Sequence, residues 1–283
     1  MEVLVAKRAG FCFGVKRAVD IAFSVAKEKK RGVFTFGPII HNPQVVEKLG
    51  AAGVRPVRDL RSLARKDVQA IIVRTHGVPR QHMARLSEKG YEIVDATCPF
   101  VKNAQHYAKL LKDEGYRVFI LGDREHPEVQ GIMSYAGRGA VVVKNREDFH
   151  LVRGNKVGVV VQTTQQVESL KELLSVAAER SRELKIFNTI CSSTALRLKE
   201  TEAMAGAVDV MVIVGGKNSA NTTQLANRAR ALSVPTYHIE TATEIEQAWF
   251  RGAERVGITA GASTPDWLIE EVRQRIIHIG GTA

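Results

Sequence analysis

Three cysteines, a small set of histidines and one glutamate carry the chemistry that this chain's residue types allow: Cys12, Cys98, Cys191, His41, His76, His126 and Glu128. Cys12 sits in G-F-C-F-G-V-K-R-A (Gly10 to Ala18), after the short apolar run Val3 to Val5 and at the mouth of an amphipathic helix. Helix amides and neighbouring cations favour a thiolate there. Three cysteines with no close pair speak against a disulfide framework and against a C-x-x-C zinc or redox motif. If the three converge, they suit an iron–sulfur cluster with one iron left open, a Lewis acid toward a substrate oxygen. A closed zinc site of three cysteines and a histidine, and buried thiols without metal, are the competing readings.

The histidines follow apolar runs, as do Ser219, Asn221 and Ser263 at matched places. One such residue alone fits a structural role; together they read as donors to an anion. Burying a diphosphate without partners costs tens of kcal/mol on an idealised estimate, so many donors are needed. Glu128 stands two residues past His126 in a first helical turn, where an acidic residue complements the helix dipole. Its functional reading is a carboxyl group handing protons to a substrate through the Thr163 hydroxyl. Gly215-Gly216-Lys217 lacks the spacing of a phosphate loop, and no G-x-G-x-x-G follows a strand, so neither a nucleotide nor a nicotinamide site is expected.

The elements that must position these residues repeat at roughly 90 residues. In the first copy Val33 to Phe36 leads to His41, a weaker run lies around Val54, a helix-like stretch covers Asp59 to Lys66, and Ala70 to Val73 leads to His76. In the second, Val118 to Leu121 leads to His126, Ala140 to Val143 is the weaker run, and Val157 to Val161 leads to Thr163. In the third, Val208 to Val214 leads to Ser219 and Asn221, Thr236 to Ile239 follows, and Val256 to Thr259 leads to Ser263. Runs rich in Val and Ile alternating with helical patterns predict mainly parallel sheets with helices on their faces, and ligands at the carboxyl ends of the strands. Pro43, Pro79, Pro99, Pro127 and Pro265 each follow a candidate closely, which places the candidates at strand-to-helix turns.

The expected architecture is α/β: three pseudo-equivalent modules, 14–97, 98–190 and 191–283, the last completed by the N-terminal strand 1–13. Packed around a pseudo-three-fold axis as a trefoil, they would bring the cysteines and the polar turns to one central cavity.

Nine motifs in order carry a resemblance: G-F-C-F-G-V-K-R-A, I-I-H-N-P, R-T-H-G-V-P, D-A-T-C-P, H-P-E-V-Q-G, Q-T-T, N-T-I-C, G-K-N-S-A-N-T and T-A-G-A-S-T-P-D. Together they resemble the IspH/LytB family of 4-hydroxy-3-methylbut-2-enyl diphosphate reductases, from the first strand to about Asp266. The resemblance implies a [4Fe–4S] cluster held by Cys12, Cys98 and Cys191. It implies a substrate diphosphate gripped by His41, His76, His126, Ser219, Asn221 and Ser263, with Thr163 beside the substrate alcohol and Glu128 delivering protons. Two electrons then release the hydroxyl as water and give isopentenyl or dimethylallyl diphosphate, the last step of the methylerythritol phosphate route to isoprenoids. Ala220 replaces a serine found in some members, which removes a side-chain contact from that position and leaves its backbone amide.

Composition limits the partners. The 283 residues are 45% apolar and 25% charged, without a run of about 18 apolar residues, so a globular protein rather than a membrane span is expected. The start lacks a basic region, long apolar core and cleavage site, and a cytoplasmic location is expected. The net charge of +11 favours an acidic partner. Its basic residues are scattered and lack interleaved aromatics, so a phosphorylated small molecule or an acidic redox protein is expected rather than nucleic acid; the resemblance implies an electron donor such as ferredoxin or flavodoxin. No coiled coil or long apolar edge demands a second copy, and a monomer is expected. Two alternatives remain at this point: a non-redox [4Fe–4S] hydro-lyase acting on a phosphorylated small molecule, and an iron–sulfur or nucleic-acid-binding regulator.

Overall fold

Apolar spacing decides where each element forms. In the computed structural model, which describes residues 1–40, 42–59 and 64–281, β1 (Glu2–Val5) leads through a loop to α1 (Phe13–Lys29). Next come β2 (Val33–Phe36), α2 (Pro43–Ala51), β3 (Val54–Val57), β4 (Ala70–Val73), α3 (Arg80–Glu88) and β5 (Glu92–Asp95). The middle of the chain forms α4 (Pro99–Asp113), β6 (Arg117–Leu121), α5 (Pro127–Ala136), β7 (Val141–Val143), β8 (Gly154–Val161), α6 (Val167–Arg180) and β9 (Ser181–Phe187). The last part forms α7 (Ser192–Ala205), β10 (Val210–Val214), α8 (Ala220–Ala231), β11 (Thr236–Ile239), β12 (Arg255–Ala260) and α9 (Asp266–Gly281).

The strands build three four-stranded sheets, ordered β3-β2-β4-β5, β7-β6-β8-β9 and β11-β10-β12-β1, and all their pairings are parallel. The order is the same each time. β1, the first strand in sequence, takes the edge place that β5 and β9 take in the other sheets, in register from Glu2 against Arg255 to Val5 against Ile258. Each of these edge strands runs directly toward a cysteine.

The chain divides into two compact units: Met1–Lys16, Ile40–Lys48 and Ser192–Ala283 in one, Arg17–Ile39 and Leu49–Cys191 in the other. The second unit holds two sheets. In its β6, Val118 and Ile120 pack with Ala104, Ala108 and Leu111 of α4 and with Val129 and Ile132 of α5. Phe119 and Leu121 point to the opposite face, against Leu170 and Leu173 of α6. This alternation covers both faces of the sheet, as parallel sheets require, and each fully buried side chain of this size contributes about 1.5–3 kcal/mol. The first unit repeats the plan, with Val212 and Ile258 against Leu268, Val272 and Ile276 of α9, and Met211 and Ile213 against Leu225 and Ala226 of α8.

Two glycines show how closely the helix after a cysteine lies on the sheet it covers. A Cβ at Gly158 of β8 would stand 2.8 Å from the Leu111 side chain of α4, and one at Gly257 of β12 would stand 2.9 Å from Met204 of α7. The two contacts occupy the same repeat position, and the strand must be bare there for the helix to approach.

The structure differs from the expected elements in several places. β9 is a seven-residue strand where only its last apolar residues are conspicuous; as an edge strand it has few buried side chains, so its pattern is weak. Within Asp59 to Lys66, residues 60–63 lie outside the described residues, and a short 3₁₀ turn covers Arg65–Asp67. Pro43, Pro99 and Pro127 open their helices, whereas Pro79 is the N-cap of α3 and Pro265 precedes α9.

Candidate active site

Each sheet ends in three turns, after its first, third and edge strands, and the candidates occupy them. After the edge strands, Cys12, Cys98 and Cys191 each stand immediately before a long helix, α1, α4 and α7. All three are half-buried thiols outside any disulfide. Their main-chain N–H groups make the same bond three times: Cys12 to the carbonyl of Ala262 (3.2 Å), Cys98 to Thr75 (2.9 Å) and Cys191 to Thr163 (2.8 Å). Ala262, Thr75 and Thr163 are the second residues past the third strands of their sheets, so each cysteine is tied to the adjoining turn.

The turns after the first strands are built alike. Gly37, Gly122 and Gly215 donate to Val57, Val143 and Ile239, and a polar side chain caps the next helix each time. Asn42 Oδ1 accepts from Val45 N–H, His126 Nδ1 from Glu128 N–H (3.2 Å), and Ser219 Oγ from Thr222 N–H. Since Nδ1 of His126 accepts, the proton of the neutral ring is on Nε2. The His126 ring meets the His76 ring edge to face, with centroids 5.4 Å apart, so two candidates from different sheets of one unit share a place. His41 lies outside the described residues.

Glu128 and Asn221 hold one repeat position, two residues past His126 and Ser219. Asn221 Oδ1 accepts from Ala262 N–H at 3.1 Å. Glu128 does the same with Oε1 toward Thr163 N–H at 2.7 Å, and its Oε2 accepts the Thr163 hydroxyl at 2.9 Å. Only 2% of Glu128 is exposed, and this burial raises its carboxyl to about 7, although both Thr163 bonds pull the other way. A carboxyl that titrates near neutrality, hydrogen-bonded to a hydroxyl, is suited to proton transfer. In the first repeat Thr75 N–H and Oγ instead donate to the Ile39 carbonyl, so no carboxyl stands there.

Thus the unit with two sheets contains His76, Cys98, His126, Glu128, Thr163 and Cys191, and the other contains Cys12, Ser219, Asn221 and Ser263. Ser219, Asn221 and Ser263 are buried. Lys217 is engaged elsewhere, pairing with Glu244 at 2.6 Å. Among the described residues no three His, Cys, Asp or Glu side chains are grouped as ligands of a single metal ion. The three thiols are instead equivalent members of a repeat, each at a helix N-terminus whose amides offset negative charge. That donor set fits a cluster anchored by three thiolates, and the chain contains no fourth cysteine.

Sequence reasoning missed Arg197 of α7, which is 3% exposed. It stands six residues past Cys191, where the repeat has Ala18 and Ala104, both fully buried. That break in the repeat was the available signal.

Three like parallel sheets, each with a thiol after its edge strand that is tied to the adjoining turn, define a class of α/β proteins built on one repeated module. Residues 3–277 match the family described as LytB protein, and the chain belongs to that family. A relative from Pelobacter propionicus, named 4-hydroxy-3-methylbut-2-enyl diphosphate reductase, is 53% identical over 280 residues, covering 99% of each chain. A relative from Geobacter sulfurreducens with the same name is 51% identical, covering 98% of this chain and 97% of its own. A solved structure of (E)-4-hydroxy-3-methyl-but-2-enyl diphosphate reductase, described as the terminal enzyme of the non-mevalonate pathway, aligns with a TM-score of 0.77 at 45% identity over 98% of this chain and 100% of that one. The corresponding structure from Plasmodium falciparum, at 24% identity and a TM-score of 0.89, covers 96% of this chain and 87% of that one and shares the fold. No described helix is long and apolar enough to cross a membrane.

Proposed function

We propose that this chain reduces (E)-4-hydroxy-3-methylbut-2-enyl diphosphate, taking up two electrons and two protons and releasing water, isopentenyl diphosphate and dimethylallyl diphosphate. The observation that carries the chemistry is the buried Glu128 carboxyl bonded to the Thr163 hydroxyl. The names of relatives across nearly the whole chain support a reductase over a hydro-lyase or a regulator.

In this reading 14–97, 98–190 and 191–283 with 1–13 act as three modules, and Cys12, Cys98 and Cys191 are the ligands of one [4Fe–4S] cluster. Such a cluster supplies electrons and, through the iron that no cysteine reaches, a Lewis acid for the allylic hydroxyl. The chain's own residues bind and protonate. His41, His76, His126, Ser219, Asn221 and Ser263 donate hydrogen bonds to the diphosphate, which replace the water it loses on burial. His126 does so through Nε2, because Nδ1 is committed to its cap. Thr163 orients the substrate alcohol, and Glu128 delivers a proton through it and is recharged from solvent. A basic surface favours an acidic electron donor such as ferredoxin or flavodoxin, and the site of action is the cytoplasm in a monomeric protein.

Anaerobic incubation with dithionite, a viologen mediator and substrate tests the proposal. The expected result is both five-carbon diphosphates with two electrons consumed per product. Loss of water without electron consumption would overturn it in favour of the hydro-lyase.

A further inference from the structure

The loops that deliver the cysteines differ in length. Two residues separate β5 from Cys98 and three separate β9 from Cys191, whereas six, Ala6 to Phe11, separate β1 from Cys12. A longer loop exposes more main-chain donors and acceptors that need partners when buried. Two residues of α7 hold this loop by its main chain, at its exposed start and at its buried end. The Glu200 carboxylate accepts from Lys7 N–H at 2.8 Å and Arg8 N–H at 2.9 Å. Arg197 Nη1 donates to the carbonyls of Arg8, of Gly10 (3.1 Å) and of Ala260 at the end of β12 (3.1 Å). Arg8 is thus held on both sides, and the loop is fixed to the strand that leads to Ser263. Gly10 completes the seat: its φ of +98 is a region L side chains avoid, and a Cβ there would stand 2.7 Å from the Asp266 carboxylate.

A buried guanidinium is costly unless hydrogen-bonded, and the alanines at the matching positions show that packing alone needs no such group. The first repeat contains a second instance. Arg17, five residues past Cys12, donates to the carbonyls of Thr97 (3.3 Å) and Asp95 (3.5 Å) in the loop that leads to Cys98. The short Cys191 loop is instead held by its own side chains, with Thr189 Oγ accepting from Val161 N–H and Asn188 Oδ1 accepting from Ile190 N–H.

We propose that Arg197, with Glu200, is a positioning residue for Cys12, fixing its thiol through the loop backbone, as Arg17 does for Cys98, so that each of two cysteines is placed by the helix that begins at the preceding cysteine in the repeat. The placement is argued without a ligand; its consequence for a cluster rests on the function proposed above.

The test is competitive alkylation of the full-length apoprotein, with each thiol quantified by peptide mass spectrometry. Arg197→Gln is expected to label Cys12 about tenfold faster through local opening of its loop, leaving Cys98 and Cys191 within about twofold of the wild type. Arg197→Lys, which keeps a donor and the charge, should fall between. Arg17→Gln should accelerate Cys98 alone. An unchanged Cys12, or an equal rise at all three thiols, overturns the proposal. The same variants, reconstituted anaerobically, give an independent signature: a shifted electron paramagnetic resonance spectrum in reduced Arg197→Gln that Arg197→Lys largely restores. If the wild type binds no iron and sulfide, the cluster reading fails while the labelling pattern still decides the proposal.

Discussion

The Glu128 carboxyl holds Thr163 twice, accepting its main-chain N–H at 2.7 Å and its hydroxyl at 2.9 Å. Glutamine preserves this geometry: its Oε1 accepts the N–H and its amide donates to the hydroxyl. What it lacks is a transferable proton. Glu128→Gln is therefore expected to keep its fold, iron content and substrate affinity while turnover falls by about 10²–10⁴. Single-turnover product formation beside a binding isotherm checks this, and a normal rate would remove Glu128 from the proton path.

The same burial sets a pH dependence. The folded-state value of about 7 lies above the ordinary 4.5, because desolvation outweighs the two Thr163 bonds. The folded protein therefore binds the proton more tightly than the unfolded chain. The stability this contributes is fully present below about pH 4.5 and is lost as the pH rises toward 7, a change on the order of 3 kcal/mol. Urea unfolding of the apoprotein should show wild type losing stability relative to Glu128→Gln across that window, with parallel curves above it. Turnover that needs the protonated acid should likewise fall as the pH passes through 7.

Thr163 offers a finer probe. Thr163→Ala removes the hydroxyl but keeps the main-chain N–H bond to Glu128, so the carboxylate loses one of the two partners that favour its charged form. Its pKa should rise further and the alkaline limb of the rate profile should move to higher pH, while turnover drops because the hydroxyl relay is gone. Thr163→Ser should restore both. Rate profiles of the three proteins decide the matter; an unshifted limb in Thr163→Ala would separate that limb from Glu128.

Much of this arrangement was legible in the sequence. The candidates are polar residues that follow buried Val- and Ile-rich runs, and such runs end where the backbone must turn into a helix, so the strand ends declared themselves. His126, Glu128 and Ser219 stand at helix starts for that reason. What was not legible depends on contacts distant in sequence. Nothing near Arg197 signals a bond to Gly10, 187 positions away, and a buried arginine reads locally as a solvated helix residue. The matching of Thr163 with Thr75 and Ala262, rather than with His76 and Ser263, likewise appears only once the N–H groups of the cysteines are traced to their acceptors.

Metal content is expected to follow the cysteines as a set. Protein purified without oxygen should be brown and contain about four irons per chain. Replacing Cys12, Cys98 or Cys191 singly with serine should each cause loss of most iron and sulfide, because each supplies one of three thiolates and no other cysteine can substitute. Iron and sulfide assays check this; stoichiometric zinc without sulfide in active protein would refute the assignment.

Asn221 separates binding from support. Its Oδ1 accepts Ala262 N–H at 3.1 Å, and its amide nitrogen is the donor proposed for the diphosphate. Asn221→Asp keeps an acceptor for Ala262 but exchanges that donor for negative charge. The fold should be retained, since the turn after β12 keeps its bond, while a diphosphate meets repulsion where it had a hydrogen bond. Losing one hydrogen bond to a charged group costs about 1.5–3 kcal/mol, so KM should rise by about tenfold to a hundredfold, with kcat much less affected. Asn221→Ala would instead leave the Ala262 N–H without its acceptor and lower thermal stability as well. If Asn221→Asp bound substrate as tightly as the wild type, the amide would be a support for the turn and not a ligand of the diphosphate.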